Sequence, residues 1–336
     1  KRSGGRWHGR RTLLIDGSSF SMPDEPDLQR AFGQHDAQAP GCGFPTAKLL
    51  ALFDASTGVI LEAFPLALRT HEQSKAADLH GCLQPGDVLV GDRGFCSFVH
   101  VALVAARGAD VVFRLHQRVR TRAKRKVRPT TMQTRLKILG TGDELVCWSR
   151  PKHRPKWIAK EQYDQLPRQL TLRIVRYRVC TRGVRSHEVH LATTLLESSD
   201  FTAKDLAQLY AGRWRIEVYF RCLKQTMKME VLHCKTVDGV QKEMTMYLLA
   251  YNLVRLVMIE AAGTLGVHVE RISFIDALRW LVENGVGRRL HRLTVLPLRP
   301  GRVEPRVRKR RPKSYSLMTM SRAKLRKRLL GTDLVA

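Results

Sequence analysis

The sequence lacks the cysteine pattern of a disulfide-stapled or zinc-binding protein. Its seven cysteines are scattered singly and include no C-x-x-C pair. Neither a disulfide framework nor a structural zinc site is therefore expected. His187 and His190 lack the H-E-x-x-H spacing, and on a strand they would point to opposite faces. We predict that both histidines are structural.

The sequence also lacks a recognisable membrane or export signal. No apolar run reaches the length needed to cross a bilayer, and the basic first residues lead into no signal-peptide core. We find no basic amphipathic anchor and no lipidation motif. These absences predict a soluble cytoplasmic protein without a membrane partner. With 336 residues and 43% hydrophobic content, the chain can form one large domain or two smaller ones.

Acidic residues are scarce relative to basic ones. The chain has 59 Lys and Arg against 30 Asp and Glu, a net charge of +29. Such an excess is self-repelling unless a polyanion offsets it, and nucleic acid is the expected partner. Residues 118–128 and 299–313 are basic runs. A solubilising tail is the ordinary alternative, but charge of one sign favours phosphate contact by Arg308, Lys309, Arg310 and Arg311.

The first 116 residues alternate between strand and helix patterns. Short apolar runs predict five strands, at 11–16, 48–54, 59–66, 87–91 and 109–115. Helices are predicted at 72–83 and 97–107, whereas residues 21–45 indicate a long loop. The resulting order is typical of a mixed α/β sheet flanked by helices.

After residue 116 the pattern changes to β-branched and alternating segments. Runs at 136–139, 144–148, 169–180 and 188–193 predict an antiparallel β insertion. Trp148 and Trp157 lie in this insertion, and each can be a core residue or a platform for a nucleic-acid base. The remaining chain is predicted to be helical and then basic. We therefore divide the chain into five segments: the first part of the α/β sheet (11–116), the β insertion (117–198), a helical segment that carries the polar stripe (199–235), a further helical region (236–298) and a basic tail (299–336).

Two aspartates are each placed at the end of a predicted buried strand. Asp16 and Asp92 are both followed by a turn, and ligands of α/β sheets gather at strand carboxyl ends. For a lone Asp-Gly, a turn former is the usual interpretation. Two such acids in one sheet favour a ligand-binding site instead.

A third acid lies on a predicted helix. At 100° per residue, Glu217 shares one stripe with four other polar residues: Tyr210, Arg213, Arg221 and Lys224. The stripe alone is equally compatible with a salt-bridged, solvated face. We predict a break at Gly212 before this helix.

Three carboxylates at one end of a sheet suit a two-metal phosphoryl-transfer site. Mg²⁺ prefers oxygen ligands, with Mn²⁺ able to substitute, and a pair of ions can activate a water or a 3′-hydroxyl. Asp16, on the predicted central strand, would bridge both ions. Asp92 and Glu217 would each hold one side.

The same residues carry a resemblance to a known family. Tyr210, Arg213, Glu217 and Lys224 fit the spacing Tyr-x2-Arg-x3-Glu-x6-Lys, and residues 14–18 and 91–95 read Leu-Ile-Asp-Gly-Ser and Gly-Asp-Arg-Gly-Phe. The chain resembles the DDE transposases of the insertion-sequence-4 family over nearly its whole length. The resemblance implies a ribonuclease H-like sheet, interrupted by the β insertion and completed by the helix at 199–235.

The resemblance also implies a function and its participants. Such an enzyme cuts double-stranded DNA at the terminal inverted repeats of a mobile element and joins the ends to target DNA. Asp16, Asp92 and Glu217 would be catalytic metal ligands, and Tyr210, Arg213 and Lys224 would contact phosphates, with Arg221 a weaker candidate. A homodimer in the synaptic complex and a bacterial, nucleoid-associated location are implied as well. Whether a hairpin intermediate is used is left open.

Family members usually carry a further amino-terminal region that recognises element ends. Only 15 residues precede Asp16, so we expect most of that region to be missing from this chain, and whether end recognition is retained is left open. Two other interpretations remain open: a ribonuclease H-like nuclease without strand transfer, and an inactive DNA-binding protein derived from a transposase.

Overall fold

A single sheet of nine strands organises the protein. The computed structural model describes residues 5–36, 38–115, 133–180, 187–283, 290–298 and 319–330. The strands are β1 (Thr12–Ser21), β2 (Thr46–Asp54), β3 (Ile60–Ala67), β4 (Val88–Gly91), β5 (Asp110–Arg114), β6 (Gln133–Gly140), β7 (Asp143–Ser149), β8 (Gln169–Val179) and β9 (His187–Thr193). Their order across the sheet is β3-β2-β1-β4-β5-β9-β8-β7-β6.

The first five strands confirm the predicted fold class. β1 pairs antiparallel with β2, and β2 pairs antiparallel with β3, whereas β1, β4 and β5 run parallel. This is the ribonuclease H-like arrangement. β4 is buried throughout, as its unbroken apolar sequence indicates. The strands predicted at 48–54 and 59–66 pair as the β2–β3 hairpin, and Gly58 takes a φ of +71° in its turn.

The strands of the insertion extend this sheet. β9 pairs antiparallel with β5, and β8, β7 and β6 follow it outward. The predicted strands are therefore confirmed, but they continue the first sheet instead of forming one of their own. β5 would otherwise present an unpaired edge, and β9 covers it. The basic run 118–128 lies outside the described residues, and the segment boundaries stay a prediction.

Helices flank the sheet on both sides. They are α1 (Pro26–Phe32), α2 (Glu72–Ala76), α3 (Phe98–Ala105), α4 (Lys160–Gln165), α5 (Ala203–Ala211), α6 (Arg215–Arg221), α7 (Val237–Leu265), α8 (Phe274–Val282) and α9 (Arg322–Leu330). The interpretation of residues 21–45 as a loop is wrong where α1 forms. Leu28 and Phe32 bury one side of this short helix, which is only two turns long and so shows little periodicity.

Two hydrophobic cores lie on opposite faces of the sheet. Leu14 belongs to the core beneath α5, α6 and α7, and its neighbours Leu13 and Ile15 belong to the core beneath α3. Trp148 is 3% exposed in the second core, and Trp157 stacks on His100 with 5.1 Å between ring centroids. Packing therefore accounts for both tryptophans, and base stacking is not supported.

The helix α7 corrects the prediction that no apolar stretch could cross a bilayer. Among the described residues it is the one helix that is long and apolar enough, with a mean hydropathy of 1.4. One of its faces nevertheless belongs to the core. Arg255 on that face is 2% exposed and bonds Glu270 at 2.7 Å. A buried charged side chain that is paired in this way is typical of a core helix in a globular domain.

Candidate active site

Asp16 and Asp92 occupy neighbouring positions on two parallel strands. Ile15 of β1 pairs with Gly91, the last residue of β4, so each aspartate is the next residue along. Adjacent strands lie about 4.8 Å apart, which brings the two acids side by side. The prediction that Asp16 ends its strand is wrong, because β1 continues to Ser21 alongside β2. The acid instead marks the point where the parallel pairing stops.

Both acids face the helices that follow the insertion. Side chains alternate along a strand, so Asp16 shares the face of Leu14, and Asp92 shares that of Val90. Leu14 and Val90 belong to the core that also contains Ile216 and Phe220 of α6. The sheet therefore directs the two acids toward the helix that carries Glu217.

That helix belongs to a continuous helical run with two irregularities. Thr202 begins α5 with a reciprocal capping box to Asp205. A tighter 3₁₀ turn at Gly212–Trp214 separates α5 from α6, in agreement with the predicted break. A wider π turn, Cys222–Thr226, follows α6. The apolar side of this run is buried at Ile216, Phe220 and Leu223.

Arg213 joins two of the predicted acids. Its Nη1 donates to Oδ2 of Asp16 at 3.0 Å, and its Nη2 lies 3.6 Å from Oε1 of Glu217. The guanidinium lies over the Tyr210 ring, 5.7 Å from its centroid, and its Nε is buried without a hydrogen-bond partner. Asp16 and Glu217 are thus linked by a cation that interacts with both.

Burial sets the electrostatics of Asp16. Its pKa is raised to about 6, chiefly because the carboxyl is removed from water, although a bond from the Gly17 N–H and the charge of Arg213 oppose the shift. The charge of Asp92 raises the pKa further. At neutral pH this site therefore holds carboxylate charge that requires a neighbouring cation.

Glu72, a fourth carboxylate, was not predicted. It is the first residue of α2, and a Cβ on Gly17 would come within 2.7 Å of its Oε1. Burial raises the pKa of Glu72, and Asp92 adds to the shift. Sequence alone gave one weak signal, a glycine directly after Asp16 in a buried strand, which marks a close approach by another group.

Tyr210 and Lys224 are engaged within the protein. Tyr210 is 9% exposed, and burial raises its pKa. The Nζ of Lys224 donates to the Ser19 carbonyl at 2.9 Å and lies over the Phe20 ring. Lys224 is therefore held against the part of β1 beyond Asp16. Arg221 is exposed on α6, and the predicted phosphate contacts at 308–311 lie outside the described residues.

The donors present suit a hard divalent cation. In the described ranges, no three Asp, Glu, His or Cys side chains converge closely enough to share an ion as they stand. The Arg213 guanidinium is positioned between two of the acids instead. The set nevertheless consists of carboxylate oxygens, and Gly17 leaves the space that a Cβ would fill beside Glu72. Oxygen-only donors match Mg²⁺ and Mn²⁺ and disfavour zinc.

The sheet is ribonuclease H-like, and it carries acids on β1 and just after β4 and faces a third on α6. This is the arrangement of acids expected of a nuclease-type phosphoryl-transfer protein. Sequence comparison identifies it further. The family described as Transposase DDE domain matches residues 7–253. The chain belongs to the DDE transposase family, in its insertion-sequence-4 group.

One curated relative agrees with this assignment. Transposase InsG for insertion sequence element IS4, from Escherichia coli strain K12, is 27% identical over 92% of this chain and 70% of that protein. A solved piggyBac transposase, in a synaptic complex with hairpin DNA, aligns over 80% of this chain and 51% of that one. Its TM-score is 0.43 and its identity is 12%.

Proposed function

We propose that this transposase performs metal-dependent strand cleavage at element ends and strand transfer into target DNA through Asp16, Asp92 and Glu217. The observation that carries the proposal is the register of β1 and β4, which sets two aspartates side by side on the face toward Glu217. Two half-buried carboxylates facing a basic helix suit a negatively charged substrate held by bridging cations.

The three acids would hold Mg²⁺, two ions in the complete site. Bound there, the metal would supply activation of the attacking water or 3′-hydroxyl and stabilisation of the leaving oxygen. Arg213 would move from Asp16 to a DNA phosphate when the cation arrives. Tyr210 would act through Arg213, because it is buried beneath that guanidinium. Lys224 and the exposed Arg221 would contact phosphates farther along the strand.

Glu72 would strengthen cation binding without being required for chemistry. It lies against Gly17, on the opposite face of β1 from Asp16, and adds negative charge to the site. We expect Glu72→Gln to weaken Mg²⁺ binding about tenfold, as measured by calorimetry. Glu62→Gln, on the edge strand β3, is the matched control.

The DNA partners are the terminal inverted repeats of the element and a target duplex. A homodimer would hold two ends together in the synaptic complex, and the tail residues Arg308–Arg311 would add sequence-independent phosphate contacts. A net charge of +29 also favours association with the bacterial nucleoid.

The test is cleavage of an element-end oligonucleotide in Mg²⁺. Asp16→Asn, Asp92→Asn and Glu217→Gln should each reduce cleavage by at least about a thousandfold while DNA binding without metal is retained. Glu230→Gln, exposed beyond the helical run, should cleave at the wild-type rate. Wild-type cleavage by any of the three acid variants would refute the site.

The same assay separates the alternative functions. A nuclease without strand transfer would hydrolyse the oligonucleotide but join nothing to a target plasmid. An inactive DNA-binding descendant would bind the duplex with no metal-dependent turnover. Joined product that is lost in Glu217→Gln supports the transposase.

A further inference from the structure

The helix α7 exposes an apolar stripe on the side away from the core. The stripe consists of Met246, Leu249, Leu253 and Leu256, which are 64%, 55%, 54% and 54% exposed. Their spacings of three, four and three residues place them in one line along the helix. The opposite side of α7 is buried through Met244, Tyr251, Val254 and Met258. Packing of α7 on the core therefore does not account for the apolar residues of the exposed stripe.

The stripe is symmetric about the middle of the helix. Met246 and Leu256 lie equally far from position 251, and so do Leu249 and Leu253. Lys242 and Glu260, both exposed, continue the line at its two ends and are again equidistant from position 251. A two-fold axis at that position would bring each member of the line opposite its counterpart on a second copy.

The charges at the two ends select the direction of pairing. In an antiparallel pair, Lys242 faces the partner's Glu260, and two such contacts close the ends of the apolar seam. In a parallel pair, lysine would face lysine and glutamate would face glutamate. Lys242 also bonds Asp238 at 2.6 Å, but this exposed contact within one turn contributes little. Charge complementarity therefore favours antiparallel helices.

The size of the stripe indicates how tight such a pair can be. Four side chains that are more than half exposed present on the order of 400 Å² of apolar surface, near the largest patch that monomers usually carry. Two copies would bury roughly 800 Å² through these residues, below the roughly 1,200 Å² of a standard stable interface. With a net charge of +29 on each chain, a weak dimer is expected.

We infer that the exposed stripe of α7 is a two-fold interface at which a second copy of this chain docks with its α7 antiparallel. Met246 packs on the partner's Leu256, and Leu249 packs on the partner's Leu253. The inference is independent of the metal site, since no residue of the stripe belongs to it. It adds a location and an orientation to the homodimer proposed above.

The test is sedimentation velocity on the full chain, without DNA, from about 1 to 100 µM at about 0.3 M salt, which screens the overall repulsion. The wild type should associate with a Kd in the micromolar range. Leu249→Glu and Leu253→Lys should each weaken association at least tenfold, because a charge enters an apolar seam. Lys204→Glu, an exposed change on α5, is the control and should associate like the wild type.

The chain carrying both Leu249→Glu and Leu253→Lys tests the orientation. In the antiparallel pair, the new carboxylate at 249 faces the new ammonium at 253 of the other copy, so association should return to within about threefold of the wild type. In a parallel pair like charges would meet, and association would be lost further. Circular dichroism checks that each variant is folded.

Four results would overturn the inference. The first is a wild type that stays monomeric at the highest concentration. The second is a dimer that the single substitutions leave unchanged, and the third is a double variant that is not rescued. The fourth is binding of the wild type to phosphatidylcholine–phosphatidylglycerol vesicles that Leu249→Glu abolishes, since the stripe would then be a membrane contact.

Discussion

Replacing Arg213 by glutamine tests whether this guanidinium and a divalent metal occupy the same place. Its Nη1 lies 3.0 Å from Asp16, whose side chain is 22% exposed. Removing a charged partner from such a carboxylate costs about 2 kcal/mol, less than for a fully buried pair. Cleavage should fall because a phosphate contact is lost, but the stability of the metal-free protein is the more direct measurement.

The expected result is a thermal shift that Mg²⁺ reverses. In a chain of this size about 2 kcal/mol lowers the Tm by roughly 4 °C. Mg²⁺ at a hundred times its Kd returns about 2.7 kcal/mol and should restore the variant fully. The wild type should gain less from Mg²⁺, because the metal must first displace the guanidinium from Asp16. Arg221→Gln, exposed on the same helical run, should leave the Tm of the metal-free protein and its gain from Mg²⁺ unchanged.

A double-mutant cycle between Asp16→Asn and Arg213→Gln gives the coupling directly. The cycle should show about 1–2 kcal/mol of interaction, since each change removes one end of the same contact. Equal gains from Mg²⁺ in wild type and Arg213→Gln would refute the competition. So would a destabilised variant that Mg²⁺ fails to restore, because Asp16 would then not help to hold the metal.

Three further predictions concern the groups around the site. Gly17→Ala should weaken Mg²⁺ binding about as much as Glu72→Gln does, because the new Cβ would come 2.7 Å from the Glu72 carboxylate and displace it, and calorimetry on the double variant should show no further loss. Burial lowers the pKa of His100 from 6.5 to about 4, so the folded state disfavours its protonation. About 3 kcal/mol of the free energy of unfolding should therefore be present above pH 6.5 and be lost as the pH falls through 4. In urea denaturation, His100→Gln should lose less stability than the wild type over this pH range. Glu270→Gln should cost about 3 kcal/mol in urea denaturation, because Arg255 is 2% exposed and would lose its counter-charge while keeping its bonds to the Thr57 carbonyl. Glu197→Gln, at an exposed position, should cost less than about 0.5 kcal/mol.

Local sequence patterns predicted the elements that depend on local physics. The strand β4 and the helix α3 lie where a short apolar run predicted a strand at 87–91 and where a helix was predicted at 97–107. The two aspartates were found for the same reason, because each follows a short buried apolar run. The pairing of β9 with β5 could not be predicted in this way, since it joins segments that are far apart in sequence.

The relation between Asp16, Arg213 and Glu72 also depends on distant segments. Asp16 and Arg213 are 197 residues apart, and their contact requires both the β1–β4 register and the packing of α6 on the sheet. Glu72 approaches Gly17 only because α2 returns to β1 after the hairpin. Sequence could therefore name candidate acids, whereas the cation between them and the fourth carboxylate required the fold.

The irregular turns around α6 explain why an ideal helical wheel described this stripe incompletely. A wheel at 100° per residue aligns Arg213, Glu217, Arg221 and Lys224 on one line. The 3₁₀ turn at Gly212–Trp214 and the π turn at Cys222–Thr226 change that angle on either side of Glu217. Arg213 is consequently turned inward to Asp16 and Lys224 toward Ser19, whereas Arg221 on the regular segment stays exposed. The polar stripe thus carries cations of two kinds, those that reach back to β1 and one that faces outward, and this difference would let a single helical run bind both the acids and a DNA strand.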